Sequence, residues 1–364
     1  GIGFTDTNVK VGSTALDSLT TGTNNTAVGN NAGTSNSSAN SNTFIGADSG
    51  QATTVGNTNV SVGRAALYTN VGGDRNVAIG YYSLYTMNPS GDNVDTYNTA
   101  VGHSSLQLNT TGQNNTAVGG RALRQNTTAS FNTAIGRDAL TSNTTGSSNT
   151  AVGVYALDAN TTGASNVAVG QGALSANTDG EQNVALGTGS LGLVTTGDFN
   201  TAVGHEALYA NTTASNNTAV GRFALVSNTT GADNVAVGAN ALDANTTASY
   251  NVAVGRNALG ANTDGATNIA IGYNSLAANT SGIRNNALGH GALGSNTTGG
   301  RNVAVGYAAL NANTTTSYNT AIGNEALTLN TTGGENVAVG SYALDANTTA
   351  SENTAVGYQA LSAN

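Results

Sequence analysis

The chain of 364 residues has no cysteine, no tryptophan and a single proline, and only 8% of its residues are charged. Without cysteine it can form no disulfide framework and no thiolate metal site, so the sequence carries no information on redox compartment. It has one lysine, Lys10, and a formal net charge of −9. Nucleic acid is therefore not an expected partner, because phosphate binding requires clustered lysine and arginine.

Long apolar runs are also missing. No stretch approaches the ~20 apolar residues that a membrane-spanning helix needs, and no signal-peptide pattern is present. We therefore expect no membrane insertion. An acidic surface rich in asparagine and threonine fits an extracellular setting, so we expect a secreted filament, a cell-surface protein or part of a virion. The chain begins at Gly1 and ends at Asn364, where its own pattern would continue with a threonine pair, so we expect a fragment or a processed product of something longer.

What the sequence does contain is a repeat. The 21 units share the consensus N-[TV]-A-V-G-x-x-A-L-x-x-N-T-T-[GA]-x-x, which we number as positions 1 to 17. They begin at Asn8, Asn25, Asn42, Asn59 and Asn76, then at Asn98 and every 17 residues to Asn353. Residues 1–97 hold the more divergent units and residues 98–364 the regular ones. A register this strict is typical of one continuous solenoid and not of a disordered linker.

The residue types of each unit indicate strand and turn. The glycine at position 5 is invariant, and asparagine and threonine are poor helix formers. Positions 2 to 4 predict a strand of three or four residues that ends at this glycine, and we expect a second short extended piece at positions 8 and 9. The prediction is an all-β fold, a β-solenoid or β-roll of 17-residue coils with about 21 rungs, stacked at ~4.8 Å per rung.

The period of two along a strand assigns faces to these positions. Position 4 is Val, Ile or Leu in every unit, and position 9 is Leu in all units except those with Gly33 and Gly50. We therefore expect positions 2, 4 and 9 to form the interior of each coil.

Position 3 would then point outward, yet it is Ala in 18 of 21 units, the exceptions being Lys10, Phe44 and Ser61. Position 8 is Ala or Ser throughout. Uniformly small residues on an outer face indicate close packing against another copy of the chain. We therefore predict a homo-oligomer, most simply a trimeric fibre. Its predicted interface includes Ala117, Ala134, Ala151, Ala219, Ala236 and Ala253.

Asparagine occupies position 1 in all units and position 12 in most. Asparagine suits turns, and in stacked rungs it can form amide ladders. The alternative is that the N-x-[ST] pattern at position 12 marks a row of glycosylation sites in a secreted protein. The sites concerned include Asn109, Asn126, Asn143, Asn160, Asn211 and Asn228.

The unit beginning at Asn76 has 22 residues and contains the only methionine and the only proline. Insertions in solenoids map to outward loops, often on a binding face. Tyrosines beside carboxylates would suit a surface glycan, whereas the alternative is a tolerated loop. The candidate ligand-binding residues are Tyr81, Tyr82, Tyr85, Asp92, Asp95 and Tyr97.

The units NTAVGxxAL and NVAVGxxAL resemble the head repeats of trimeric autotransporter adhesins, whose strands build a left-handed β-roll in a three-chain bundle. They resemble still more the repeats of bacteriophage tail-fibre-like proteins. The resemblance extends over essentially the whole chain and implies a trimeric extracellular fibre. The 17-residue period is longer than that of the adhesins, and no coiled-coil stalk, anchor or chaperone domain is present in the sequence.

The pattern contains no catalytic signature. The histidines His103, His205 and His290 all occupy position 6, several rungs apart, so one chain cannot bring them together. We expect no enzymatic activity, cofactor or metal, and favour a structural and adhesive fibre that gives reach, rigidity and display. Two alternatives remain: an ice-binding solenoid with threonine pairs at positions 13 and 14, and a fibre-borne polysaccharide-active enzyme.

Overall fold

The computed structural model describes the backbone of residues 2–5 and the whole of residues 7–362. Gly1 and Asn364, on which the expectation of a longer chain rests, lie outside these residues. The chain divides into two compact units, Gly1–Gln182 and Asn183–Asn364. In the described part of each unit the regular structure is all strand, with one strand at positions 2 to 4 of every coil and three further short strands in the first unit. The prediction of an all-β solenoid is confirmed.

The first unit contains ten coils, and the strands of successive coils pair in parallel with no shift in register, so that Ala117 lies opposite Ala134. A preceding strand, β1, pairs antiparallel with β2, and β6 pairs with β8 in a separate two-stranded sheet. The strands are β1 (Ile2–Thr5), β2 (Asn8–Val11), β3 (Thr26–Val28), β4 (Thr43–Ile45), β5 (Val60–Val62), β6 (Gly73–Asp74), β7 (Val77–Ile79), β8 (Val94–Asp95), β9 (Thr99–Val101), β10 (Thr116–Val118), β11 (Thr133–Ile135), β12 (Thr150–Val152) and β13 (Val167–Val169).

The second unit contains eleven coils with the same parallel, in-register pairing. Its strands are β14 (Val184–Leu186), β15 (Thr201–Val203), β16 (Thr218–Val220), β17 (Val235–Val237), β18 (Val252–Val254), β19 (Ile269–Ile271), β20 (Asn286–Leu288), β21 (Val303–Val305), β22 (Thr320–Ile322), β23 (Val337–Val339) and β24 (Thr354–Val356).

The glycine at position 5 ends each strand for a steric reason. Gly119 has a φ of 135°, which L side chains rarely adopt. A Cβ on Gly119 would also lie 2.5 Å from the carbonyl oxygen of Gly136 in the next coil. Any larger residue would therefore push neighbouring coils apart, which accounts for the invariance of this position.

The prediction of a second extended piece at positions 8 and 9 is wrong. Leu123, at position 9, has a φ of 51° and is therefore left-handed, not extended. Its backbone still joins the next coil, because its N–H donates to the carbonyl of Ala139 at 3.0 Å. The coil thus has one strand, and turns stacked by backbone hydrogen bonds make up the rest of its circumference.

The predicted interior is correct for position 9 and wrong for positions 2 and 4. In the coil that begins at Asn115, Ala117 and Leu123 are fully buried, whereas Val118 at position 4 is 36% exposed. Thr116 at position 2 is half-buried. The interior therefore consists of the position 3 and position 8 side chains facing the leucine of position 9.

The six alanines predicted to form an interface between chains are fully buried within a single chain. Their side chains are small because the coil is narrow, not because a second chain packs against them. The prediction that Ala117, Ala134, Ala151, Ala219, Ala236 and Ala253 contact another copy is therefore wrong.

The exceptions at position 3 have interior explanations. Phe44 is fully buried and packs against the glycines at position 9 of the preceding unit, Gly33, and of its own unit, Gly50. A Cβ on Gly33 would lie 2.6 Å from the Phe44 ring, and one on Gly50 would be closer still. Ser61 is also buried and hydrogen-bonds the Ser49 hydroxyl. Lys10 is half-buried and lines a cavity in the first coil.

Candidate functional site

Position 12 forms a ladder of buried asparagines. Asn126 donates its amide hydrogens to the Asn109 Oδ1 at 2.7 Å and to the carbonyl of Ala129 at 3.0 Å. Asn143 donates in the same way to the Asn126 Oδ1 at 2.9 Å. The prediction of amide ladders is confirmed, and each side chain satisfies both a turn carbonyl and its neighbour.

Position 1 forms a second ladder. The Asn115 side chain donates to the carbonyl of Ala129 at 2.9 Å, while its backbone N–H donates to the Oδ1 of Asn98 at 3.0 Å. Asn132 repeats this pattern with Asn115. The amide thus replaces the backbone partner that the corner of the coil would otherwise lack, which explains why asparagine is present at position 1 of every unit.

Glycosylation of the folded chain at position 12 is excluded by these contacts. The side chains of Asn109, Asn126, Asn143, Asn160, Asn211 and Asn228 are fully buried. Their amide nitrogens donate to the carbonyl of position 15. A sugar on any of them would have to occupy the interior of the coil, so the predicted row of glycosylation sites is wrong for the folded state.

The threonine pairs at positions 13 and 14 differ from each other. The hydroxyl of Thr110, at position 13, donates to the carbonyl of Thr127 in the next coil at 3.0 Å, and Thr127 donates likewise to Thr144. Thr111 and Thr128, at position 14, are exposed. Position 13 therefore links coils, and only position 14 presents a free hydroxyl row, beside a turn.

The outer face of the sheet is uncharged and largely aliphatic. Positions 2 and 4 carry no charged residue in any unit. In the first unit the position 4 side chains of Ile45, Ile79 and Ile135 are 39%, 39% and 41% exposed. Threonine and valine at position 2 accompany them in a parallel row. Positions 2 and 4, which the sequence predicted to lie in the interior, therefore form an outer surface.

The candidate ligand-binding residues fall into two clusters. In the first, Tyr81 lies 4.0 Å from Tyr82 and 5.5 Å from His103, between ring centroids. Tyr82 meets Tyr85 edge to face at 4.9 Å, and Tyr85 stacks on Tyr68 at 5.0 Å. Five rings from three coils thus form one row, which we call the aromatic row.

Two phenols of the aromatic row, Tyr81 and Tyr85, have raised pKa values. A hydrogen bond with the Tyr82 hydroxyl raises the pKa of Tyr81. Burial, with a smaller contribution from Tyr68, raises the pKa of Tyr85. The hydroxyls of Tyr81 and Tyr85 therefore remain protonated donors at neutral pH.

The second cluster consists of Arg75, Asp95 and Tyr97, at the C-terminal ends of the coil that begins at Asn59 and of the coil that begins at Asn76. The Asp95 carboxylate accepts a hydrogen bond from Arg75, whose guanidinium also lies 5.4 Å from the Tyr97 ring centroid. Asp92 is exposed. Among the described residues, no hydrogen bond, ion pair or ring contact joins this cluster to the aromatic row. The structure therefore does not bring the six candidates into one site.

Two members of the aromatic row, Tyr68 and His103, were not predicted. Their signal is positional: Tyr68 and Tyr85 both occupy position 10, and His103 and Tyr81 both occupy position 6, of adjacent units. Because coils stack in register, equal positions in adjacent units are neighbours in space.

The other two histidines also lie beside aromatic rings of adjacent coils. His205 meets Phe223 at 5.5 Å, and His290 lies between Tyr273 and Tyr307. Within residues 7–362, no group of three or more His, Asp or Glu side chains is arranged to hold a metal ion.

In the described part of the chain, no helix has the length and apolarity needed to cross a membrane. No family model matches the chain, and no curated protein is similar to it.

Proposed function

We propose that the chain is a structural and adhesive filament segment that works outside the cell, on a cell surface or on a virion, and that it assembles with copies of itself. This function requires a scaffold whose stability does not depend on the residues it displays. The proposal agrees with the resemblance to adhesin heads and tail fibres.

The single observation that carries the proposal is the pair of internal asparagine ladders. Because each coil is closed by its own amides and by the backbone of its neighbours, outward positions contribute little to closure. Positions 6, 7, 10 and 17 accordingly vary freely between units. Such a chain holds a constant frame and displays variable side chains, which is what a filament for surface display needs.

The outer face of the sheet supports self-association. A fully buried Val or Leu removes on the order of 100 Å² from water, judged from its transfer energy. At an exposure of 36–41%, five side chains of this face in the first unit each leave about 40 Å² accessible, and the other fifteen at positions 2 and 4 are half-buried; the five are Ile45, Ile79, Val118, Ile135 and Val167. The ten coils together expose on the order of 500 Å² at positions 2 and 4, somewhat less than the ~800 Å² that one partner contributes to a standard interface. Apolar surface of this extent indicates an interaction site.

A second copy of the chain is the partner that fits best. The face has no charge to match, and its spacing repeats with every coil, so another repeating face matches it along its length. The proposed trimer therefore uses positions 2 and 4 as its interface and not position 3.

Electron microscopy and light scattering test the proposal together. We expect rods of constant width and a mass that is a multiple of 35.8 kDa, most simply three chains. Rounded particles would overturn the filament function, and a single-chain mass at all concentrations would overturn self-association.

A matched pair of variants tests the proposed face. Ile135→Lys with Val152→Lys adds charge at position 4 and should dissociate the oligomer. Thr145→Lys with Thr162→Lys adds the same charge at position 14 of coils in the same region and should leave the mass unchanged. Equal masses for the two double variants would show that the outer sheet face is not the interface.

A further inference from the structure

We propose that the aromatic row of Tyr68, Tyr81, Tyr82, Tyr85 and His103 is a binding surface for a neutral carbohydrate, contacted through the apolar C–H face of its pyranose rings. This inference deepens the proposed adhesive function by giving it a ligand class and a place. It rests on the arrangement of the rings, on the charge around them and on their difference from the other aromatic residues of the chain.

The arrangement supplies a continuous aromatic surface. Ring centroids follow one another at 5.5, 4.0, 4.9 and 5.0 Å from His103 to Tyr68. Tyr81 is 38% exposed, His103 is exposed, and Tyr68, Tyr82 and Tyr85 are half-buried. The rings therefore support one another while their outer parts reach solvent. Such a row fits an extended ligand better than a single small molecule.

The packing also limits the mobility of the row. Tyr81 lies between His103 in one neighbouring coil and Arg64 in the other, with the Arg64 guanidinium 5.9 Å from its ring centroid. Ligand binding then costs little side-chain entropy, because aromatic rings held by their neighbours are already ordered.

The charge around the row selects an uncharged polar ligand. The phenols of Tyr81 and Tyr85 are neutral at pH 7, since their pKa values are raised by the Tyr82 hydrogen bond and by burial, respectively. Arg64 lies beside Tyr81, and Asp48 is close enough to Tyr85 to influence its titration. One positive and one negative group balance each other. Aromatic faces with phenolic donors between them match a sugar ring, which has an apolar face and a rim of hydroxyls.

The rest of the chain offers no equivalent row among the described residues. Tyr250 and Phe131 are each 64% exposed but make no ring contact. In the second unit, His290 lies between Tyr273 and Tyr307, which is a shorter row of three rings. The 22-residue coil that begins at Asn76, which we call the irregular coil, is therefore distinct in the extent of its aromatic surface.

Binding is measured with neutral hexasaccharides of glucose, galactose and N-acetylglucosamine and with a sialylated oligosaccharide as a charged probe. The chain has no tryptophan, so binding is followed by the emission of its 13 tyrosines, four of which lie in the row. We expect at least one neutral probe to bind and the sialylated probe to bind at least tenfold more weakly. Absence of binding by every neutral probe overturns the inference.

Two double variants locate the site. Tyr81→Ala with Tyr85→Ala removes rings at positions 6 and 10 of the irregular coil and should weaken binding at least tenfold. Tyr273→Ala with Tyr209→Ala removes rings at the same two positions in the second unit and should change binding less than twofold. Equal weakening by both overturns the proposed location.

A further measurement covers the case in which the first double variant does not fold. On the wild-type chain, saturation of the tyrosine ring protons should transfer to the sugar C–H protons, and its absence in a bound complex overturns the stacking mode. Micrographs of the same samples separate the two proposals. Rods that bind no neutral glycan leave the filament function intact and end this inference, whereas rounded particles end the filament function whatever the glycan result.

Discussion

The coils that begin at Asn25 and Asn42 fill their interior differently from the coils that begin at Asn115 and Asn132. The regular coils use Ala at position 3 and Leu at position 9, all fully buried. The two early units place glycine at position 9, and Phe44 supplies the missing volume from position 3. The interior is thus filled mainly from position 9 in the regular coils and from position 3 in the two early coils.

The difference teaches that the interior volume is maintained and not the residue at a given position. Where a bulky ring enters from the strand, the leucine on the facing turn is absent, because protein interiors are close-packed. The backbone does not change, since Gly33 and Gly50 have φ values of 58° and 60°, close to the 51° of Leu123.

The largest expected effect follows from breaking this compensation. Phe44→Ala leaves a cavity with glycine on both sides and should lower the free energy of unfolding by ~3–5 kcal/mol. Adding Gly33→Leu and Gly50→Leu should restore most of the loss, because it recreates the regular interior on a backbone that already accepts leucine. Urea denaturation of the variants measures both steps.

The control for this exchange is Gly50→Leu alone, which places a side chain against the Phe44 ring. It should destabilise the wild type and stabilise Phe44→Ala. If Gly50→Leu has the same effect in both backgrounds, the two positions do not compensate for each other.

A smaller effect is expected from the position 12 amide ladder, which is continuous in the two regular coils and is interrupted in the irregular coil. In the regular coils, Asn126→Ala leaves the buried Asn109 Oδ1 without the Asn126 donor, and it removes one of two partners from the Ala129 carbonyl and from the Asn143 amide. Since an unsatisfied buried group costs ~1–3 kcal/mol, we expect a loss of at least ~2 kcal/mol in denaturant titration. Thr128→Ala, at exposed position 14, is the matched control and should be nearly neutral.

The irregular coil interrupts this ladder with Met87, whose sulfur accepts a hydrogen bond from the Asn109 amide at 3.2 Å. Met87→Asn would restore the pattern of the regular coils and should change the stability by less than ~1 kcal/mol. A loss as large as that of Asn126→Ala would show that the irregular coil needs the thioether for its packing.

The smallest effect concerns carboxylates at position 10. Burial raises the pKa of Asp158 in the regular coils, and its Oδ1 has no hydrogen-bond partner. A raised carboxyl pKa means that the folded state binds the proton more tightly than the unfolded state. The favourable contribution is therefore complete below the unfolded pKa of ~3.9 and is lost as the pH rises through the folded value.

Asp158→Asn should accordingly raise the melting temperature at pH 7 and have less effect at pH 3. The gain in stability should stay below ~1 kcal/mol, because solvent reaches part of the group. Asp17→Asn, at the same position of the first coil but exposed, is the control. A gain that is the same at both pH values would exclude titration of Asp158 as its cause.

Much of the fold could be predicted from the sequence, because the 17-residue register, the strand at positions 2 to 4 and the leucine at position 9 follow from simple pattern. The amide ladders could be predicted for the same reason. The face of the strand could not, since three residues give only one alternation, and aliphatic residues at positions 2 and 4 outnumber the single alanine between them. A coil with one strand is narrow, so of the three strand residues only the small one at position 3 fits inside it. This narrowness is a property of the closed backbone and cannot be read from one three-residue strand.

The prediction that the six candidate residues form one site was wrong for a related reason. Tyr81 and Asp95 are near in sequence, but they lie on different parts of one coil. Tyr81 and His103 are 22 residues apart and adjacent in space. In a solenoid, equal position in neighbouring units predicts contact better than closeness along the chain.

The central claim is that position 3 lies inside a single chain and position 4 outside it. Because the chain has no cysteine, Ala134→Cys and Ile135→Cys give two adjacent and unambiguous thiol probes. Their rates of reaction with a water-soluble thiol reagent are compared at dilutions where light scattering gives the mass of one chain. We predict that Ile135→Cys reacts rapidly and that Ala134→Cys reacts only as fast as the chain unfolds. Rapid reaction of Ala134→Cys together with protection of Ile135→Cys would contradict the account.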